Sequence, residues 1–135
     1  MDEPITLSVG EGELVGPSVV KAARPELSLI EFEIKPEGGV QPHFHKRHSD
    51  SFYLEGEVEF HVGDEVVQGS PGTYVLAPAG VVHFLENVSS APARVLNLHT
   101  PGGSVEYRRE LEALHAGGEK PEEAFFERHD LFDVD

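Results

Sequence analysis

The chain has no cysteine and no long apolar run. The absence of cysteine among its 135 residues excludes disulfide bonds and thiolate metal ligands. No apolar run approaches the roughly 18 residues that a membrane-spanning helix needs. The N-terminal residues also lack the basic and apolar segments of a secretion signal. We therefore expect one cytoplasmic domain with no membrane partner.

Positive charge is scarce as well. Ten lysine and arginine residues stand against 25 aspartate and glutamate residues, which gives a formal net charge of −15. A field of this sign repels the phosphates of nucleic acid and anionic lipid headgroups, so we expect neither as a partner. It also disfavours strongly anionic substrates unless a local positive centre, such as a metal ion, offsets it. Solubility alone would also account for such a surface.

Glycine and proline, by contrast, are frequent, with 14 and 10 residues. Between residues 5 and 99 they separate short apolar segments, which is the pattern of an antiparallel sandwich or barrel. Residues 30–35 alternate apolar and charged side chains and predict a half-buried strand. Residues 58–68 predict a hairpin that turns at Gly63, and residues 94–99 predict a further strand.

The pattern becomes helical after the last predicted strand. Residues 104–116 predict a helix with Ser104 as its N-cap, and residues 121–129 predict a second short helix. Three large apolar side chains share one face of the first helix: Tyr107, Leu111 and Leu114. A helix of this length needs tertiary burial to persist. We therefore expect residues 102–135 to be a helical extension that packs on a β-barrel of residues 1–101 or on a partner subunit.

Histidines cluster near the middle of the chain. His43 and His45 point to the same face of a strand, and two neutral imidazoles on one face can reach one metal ion. His48 and Asp50 follow closely, and burying these groups together without a cation would be costly. An exposed loop with no function is the alternative for this local cluster. His83, which is distant in sequence, favours a site that folding closes.

The sequence around His83 has a defined form. Residues 72–87 read GTYVLAPAGVVHFLEN, which is G-x5-P-x-G-x2-H-x3-N, and the H-x-H pair of His43 and His45 precedes it. These two blocks resemble the paired motifs of the cupin superfamily, in particular the small single-domain cupin-2 type that includes quercetinase-like proteins. The resemblance implies an all-β fold, a jelly-roll type antiparallel β-barrel, with the short helices as a C-terminal addition.

The resemblance also implies a ligand set inside the barrel: His43, His45, Asp50 and His83. The chain has an aspartate where the family has glutamate, and one residue fewer between Asp50 and Gly56. A one-residue deletion in a strand reverses its faces unless a bulge absorbs it. His48 has the same parity as Asp50 and is therefore the alternative fourth ligand, although we favour Asp50.

Three imidazoles and one carboxylate suit one divalent transition metal, which is Fe, Mn, Ni, Co or Zn. Calcium would need more oxygen ligands. Asn97 and His99 share one face of the late strand, and with Phe32 they are candidates for the lining of a ligand pocket. The alternatives are a polar pair satisfied near the barrel mouth and, for Phe32, ordinary core packing.

The resemblance implies a metal-dependent oxidoreductase, similar to quercetinase-like dioxygenases, that acts on a small organic molecule. In that role Asp50 could double as a catalytic base. One fold supports many chemistries, so two alternatives stay open. They are a non-catalytic small-molecule binding or sensor protein, and a metal-dependent isomerase or lyase. Exposed sheet edges favour a homodimer.

Overall fold

The structure is a computed structural model, and it describes residues 4–134. Its strands form two antiparallel sheets. From one edge to the other, the six-stranded sheet contains β1 (Glu13–Val15), β2 (Ser18–Ala23), β3 (Ser28–Ile34), β10 (Ala93–Thr100), β5 (Ser49–Leu54) and β8 (Tyr74–Ala77). The five-stranded sheet contains β11 (Phe132–Asp133), β4 (Gly39–Phe44), β9 (His83–Glu86), β6 (Val58–Val62) and β7 (Glu65–Gly69).

The two sheets face each other as a jelly roll, with the main apolar core between them. Alternate residues of the strands supply this core, which includes Phe52, Leu54, Val58, Phe60, Leu85 and Val95. The predicted all-β jelly-roll fold is confirmed. Within residues 4–134, however, the sheets pack face to face and are not hydrogen-bonded into a closed barrel.

The predicted strands and hairpin are present. β3 places Ile30 and Ile34 in the interior and leaves Glu33 exposed, as the alternation in the sequence indicates. Glu31 departs from this alternation, because it is buried and pairs with Nζ of Lys21 at 3.1 Å. β6 and β7 pair as a hairpin. Gly63 lies at its turn with φ 57°, in the left-handed region that glycine adopts without a steric cost.

Strand β4 has an irregularity that positions a histidine. Val40 pairs with Leu85 and His43 pairs with His83, so β4 has one extra residue between the two pairs. Residues three apart on a regular strand face opposite sides of a sheet. Here Val40 packs against the core and His43 is also buried. The bulge therefore turns His43 to the interior.

Two helices follow β10. The helix α1 (Ser104–Ala116) and the helix α2 (Glu123–Arg128) lie close to the predicted ranges. Gly103 is the N-cap of α1, and Ser104 is its first helical residue, so the predicted cap is wrong by one position. Within residues 4–134, neither helix is both long and apolar enough to cross a membrane.

The anchor of α1 differs from the predicted one. The face formed by Tyr107, Leu111 and Leu114 is only half-buried. Val105 is fully buried instead, in a second apolar cluster with Val15, Val20 and Ile30. The helix therefore lies against β1 and β3 of the six-stranded sheet.

The end of the chain returns to the five-stranded sheet. β11 pairs with β4, with Phe132 opposite Phe44, and these two rings stack at a centroid distance of 5.3 Å. The sequence analysis did not predict this strand, because two residues carry no readable periodicity. The pairing brings the C-terminal residues next to the strand that carries His43.

Candidate metal centre

Four buried side chains converge between the two sheets: His43, His45, Asp50 and His83. The histidines come from the five-stranded sheet, where His43 lies on β4, His45 directly follows β4, and His83 begins β9. Asp50 comes from β5 of the opposite sheet. Their candidate ligand atoms lie within 4.8 Å of one another, so folding brings together the four residues that the resemblance implies.

The carboxylate of Asp50 faces all three rings. Its Oδ2 atom lies 2.9 Å from Nε2 of His83, 3.4 Å from Nε2 of His45 and 4.0 Å from Nε2 of His43. The three ring nitrogens that point to this oxygen are therefore the Nε2 atoms.

The other nitrogen of each ring is held by the backbone. Each Nδ1 donates to a carbonyl oxygen: His43 to Gln41 at 2.8 Å, His45 to Asp130 at 2.7 Å and His83 to Val81 at 3.0 Å. A carbonyl oxygen only accepts hydrogen bonds, so the proton of each neutral ring is on Nδ1. The lone pair is then on Nε2, which is the arrangement that a metal-ligating histidine needs.

These residues fit a metal ion. In neutral rings the three Nε2 lone pairs would face the carboxylate oxygen, which is unfavourable unless a proton or a cation lies between them. Without a metal, Nε2 of His83 is hydrogen-bonded to Oδ2 of Asp50 at 2.9 Å. Among the described residues, Nε2 of His45 is buried and has no hydrogen-bond partner. A divalent ion would satisfy all four groups at once, and three imidazoles with one carboxylate match the preferences of first-row transition metals.

The protonation states of His43 and Asp50 also suit metal binding. Burial opposes the charged form of His45, but the hydrogen bond and charge of Asp50 raise its pKa, so metal binding there competes with a proton. Burial, with the neighbouring His83, lowers the pKa of His43 to about 4. Burial opposes ionisation of Asp50, but the charge of His99 and the hydrogen bonds of the surrounding rings hold its pKa well below the usual range. His43 is therefore neutral and Asp50 ionised near neutral pH, which are the forms that bind metals.

His48, the alternative fourth ligand, lies outside this group. Its Nδ1 lies 2.6 Å from Oδ2 of Asp130, and its Nε2 lies 3.1 Å from the carbonyl oxygen of Gly102. Both ring nitrogens of His48 therefore contact oxygen acceptors. The pairing of β5 with β10 is unbroken along the whole of β5, so no bulge reverses its faces, and Asp50 points inward.

The late strand β10 supports Asp50. Nδ2 of Asn97 donates to Oδ1 of Asp50 and, at 3.1 Å, to the carbonyl oxygen of Ser51. Nε2 of His99 lies 3.1 Å from the same Oδ1 atom. Asn97 and His99 therefore hold one carboxylate oxygen while the other faces the three histidines. This explains why Asn97 is buried and His99 half-buried on the inner face of β10.

Asp130 is a site residue that the sequence analysis missed. Its buried carboxylate accepts hydrogen bonds from the backbone N–H groups of Lys46, Arg47 and His48 at 2.9, 2.8 and 3.1 Å. Its own carbonyl oxygen orients His45, which is 85 positions earlier. Asp130 thus fixes the turn between β4 and β5. A single aspartate in the tail, so far from His45, gives no local sequence signal for this contact.

A cavity of about 500 Å³ opens beside the four converging residues. Apolar side chains on its wall include Phe32, Val40 and Phe52, and polar ones include Asn97, His99, Tyr107 and Arg108. A cavity of this size and mixed lining is typical of sites for small organic molecules. Phe32 contacts both apolar clusters as well as the cavity, so it serves packing and lining together.

Comparisons with known proteins agree with this fold. No curated protein matches the sequence. Among solved structures, TT1209 from Thermus thermophilus is 25% identical, with a TM-score of 0.64 over 71% of this chain and 96% of that chain. A conserved protein with a double-stranded beta-helix domain from Klebsiella pneumoniae is 24% identical, with a TM-score of 0.63 over 74% and 92%.

KdgF from Halomonas sp. is also similar, at 24% identity and a TM-score of 0.61 over 69% of this chain and 87% of that chain. At this identity the likeness to the Klebsiella and Halomonas proteins concerns the fold alone. The model of the cupin domain family matches residues 30–99, which is more than half of the chain. The match includes the three histidines, Asp50, Asn97 and His99 of the site just described. The chain therefore belongs to the Cupin_2 family of cupin domains.

Proposed function

We propose that this cupin is a metal-dependent enzyme that acts on a small organic molecule with dioxygenase-like chemistry. The convergence of three Nε2 lone pairs on an ionised, buried carboxylate carries the proposal. His43, His45, Asp50 and His83 would hold one divalent ion, which is Fe, Mn, Ni, Co or Zn. When bound, the ion would supply Lewis acidity or redox chemistry at its open positions.

The residues of the chain have definite tasks in this proposal. The hydrogen bonds to backbone carbonyl oxygens keep the three rings in one orientation. Asn97 and His99 hold Oδ1 of Asp50, and Oδ2 stays available as a ligand or as a base for a substrate proton. The apolar wall of the cavity limits access of water to the reacting atoms, which favours dioxygenase-like chemistry.

Metal content is the first test. Protein purified without a histidine tag should contain about one divalent transition metal per chain and lose it to a chelator. His83→Ala should abolish retention because it removes one of four ligands. His115→Ala is the matched control, since His115 is exposed on α1. A protein that binds none of Fe, Mn, Ni or Zn at micromolar concentration would overturn the proposal.

Oxygen consumption is the second test. Metal-loaded protein should consume oxygen together with a chelating organic substrate, and the Asp50→Ala variant should not. Product without oxygen uptake would instead favour a metal-dependent isomerase or lyase. His99 and Tyr107 support that second candidate, because both line the cavity and offer groups for proton transfer. Ligand binding without metal and without turnover would identify a binding or sensor protein and overturn both enzyme proposals.

A further inference from the structure

Arg108 is a cavity residue outside the matched cupin domain. It lies on α1, one turn after Val105, which anchors that helix to the six-stranded sheet. Arg108 therefore projects from the same helix face as Val105, toward the sheet rather than toward bulk solvent. Arg108 and Arg128 are the arginines that the C-terminal extension brings to the cavity.

Within residues 4–134, the guanidinium of Arg108 has no ion-pair partner. Its Nη1 atom makes one long hydrogen bond, 3.4 Å, to Oγ of the buried Ser18. Its Nε atom is buried without a hydrogen-bond partner, and within residues 4–134 no carboxylate forms an ion pair with it. Burial lowers the pKa of Arg108, although the charges of Tyr107 and Asp50 oppose this.

Arg108 is half-buried and its Nε atom is fully buried, so an unpaired guanidinium there costs free energy. Arginine does not lose its proton in proteins, so the charge stays when the side chain is buried. Removing a cation from water without a partner costs several kcal/mol in general. Although the chain has 25 acidic residues, no carboxylate within residues 4–134 pairs with Arg108, and Asp50 acts on it only through its charge. The arrangement is accounted for if a ligand supplies the missing anion.

We propose that Arg108 binds the carboxylate of an organic acid that enters the cavity. The planar guanidinium offers parallel N–H groups that match the two oxygens of a carboxylate. The net charge of −15 disfavours a doubly charged phosphate and tolerates a single negative charge beside a local cation. The apolar wall would contact the rest of the ligand. This inference deepens the proposed function, because it names the substrate class of the same cavity.

Two other arginines of the cavity provide matched controls. Nε of Arg47 lies 3.8 Å from Oδ1 of Asp130, and its side chain is 70% exposed. Nη2 of Arg128 lies 3.8 Å from Oε2 of Glu110, and its side chain is 65% exposed. Both carry the same charge as Arg108 and line the same cavity, but each already has a carboxylate nearby.

The test measures the binding of benzoate and of uncharged benzamide by calorimetry. It uses the full-length protein as purified and again after addition of Zn²⁺. Benzoate should bind more tightly than benzamide. Arg108→Gln should weaken the binding of benzoate at least about tenfold and have little effect on the binding of benzamide. Arg108→Lys should restore part of the affinity. Arg47→Gln and Arg128→Gln should change benzoate affinity by no more than about threefold.

Several results would overturn the inference. One is a benzoate affinity that Arg108→Gln leaves unchanged, and another is an equal loss of benzoate affinity in all three arginine-to-glutamine variants. The others are benzamide binding as tight as that of benzoate, and phenyl phosphate binding that is tighter than that of benzoate. If Arg108→Gln does not fold, Arg108→Lys must still weaken the binding of benzoate more than the binding of benzamide. The carboxylate measurement does not need a metal. A metal-free protein would thus overturn the proposed function while leaving the role of Arg108 measurable.

Discussion

Two buried aspartates organise the site, and each is neutralised in a different way. Asp50 faces the Nε2 atoms of three histidines and has Asn97 and His99 at its other oxygen. Asp130 accepts three backbone N–H groups of the turn that carries His45. Around Asp50, the ring nitrogens of three histidines are directed at a common point. The carboxylate of Asp130 is already satisfied by its hydrogen bonds and needs no further group. Only the surroundings of Asp50 are therefore suited to a cation.

The two candidate fourth ligands can be separated by mutation. Asp50→Ala should weaken metal retention at least about tenfold more than His48→Ala, because His48 contacts Asp130 and Gly102 rather than the other ligand atoms. Metal titrations with competing chelators would measure both variants. Circular dichroism would show whether each variant remains folded. The reverse order of losses would make His48 the ligand.

Asp130 should stabilise the fold in a pH-dependent way. Burial opposes its ionisation, but the ring of His48 and the backbone N–H groups of Arg47 and Lys46 lower its pKa below the ordinary value. A carboxylate with a lowered pKa in the folded state stabilises it above the unfolded pKa, about 4, and loses this effect as pH falls through the folded value. Asp130→Asn should therefore cost roughly 2 kcal/mol at pH near 7, with a smaller difference below pH about 4.

Urea denaturation of metal-free protein at several pH values would measure this difference. Asp50 also titrates in acid, but it is present in both proteins, so its contribution cancels in the comparison. A difference between wild type and Asp130→Asn that does not change with pH would contradict an ionised role for Asp130.

At the scale of elements, the chain after β10 supports the jelly roll at three places. Val105 of α1 fills the second apolar cluster, Asp130 follows α2 and holds the β4–β5 turn, and β11 extends the five-stranded sheet. Tyr107 and Phe125 link the two helices, with ring centroids 5.8 Å apart. The helices therefore place Arg108 at the cavity and bring Asp130 to the β4–β5 turn, in addition to covering apolar surface.

A chain that ends at Pro101 would test the division into a domain of residues 1–101 and an extension of residues 102–135. We expect it to be less soluble or to change its oligomeric state, because the cluster around Val105 becomes exposed. It should also retain metal less well, since His45 loses the carbonyl oxygen of Asp130. Unchanged melting temperature, mass in solution and metal content would show that the extension is a passive addition.

At the scale of the whole molecule, apolar side chains gather on the outer face of the six-stranded sheet. Tyr53, Tyr74 and Leu76 are 44%, 61% and 48% exposed, and Tyr53 lies opposite Tyr74 in the pairing of β5 with β8. β8 is also the edge of this sheet. An apolar face beside an open edge is the usual setting for association between copies of one chain. The homodimer stays a prediction, and this face is where we expect it.

Tyr74→Glu should shift the protein from dimer to monomer, because it places a charge in the middle of this face. Light scattering coupled to size exclusion would measure the mass. Val66→Glu is the matched control, since Val66 is 56% exposed and lies on β7 of the other sheet. A monomeric wild-type protein, or equal effects of the two variants, would remove this face from the interface.

Sequence reasoning predicted what depends on neighbours along the chain. The alternation in residues 30–35, the turn at Gly63 and the helix of residues 104–116 follow from local periodicity and backbone preference. Such signals are contained in a few adjacent residues, so a single sequence is enough to read them. The four converging side chains were implied as a set by the resemblance to cupin motifs.

Tertiary structure decided what depends on contacts between distant residues. Two such features are the bulge that turns His43 inward and the hydrogen bonds of Asp130 to the β4–β5 turn. A third is the position of Arg108, with which no carboxylate within residues 4–134 forms an ion pair. The choice between Asp50 and His48 likewise depended on the register of β5 against β10, because strand parity alone could not separate these two residues. Sequence by itself determined which chemical groups are available, and packing determined which of them face one another. The physical reason is that hydrogen bonds and charge pairs act over a few ångströms in space, whatever their separation along the chain.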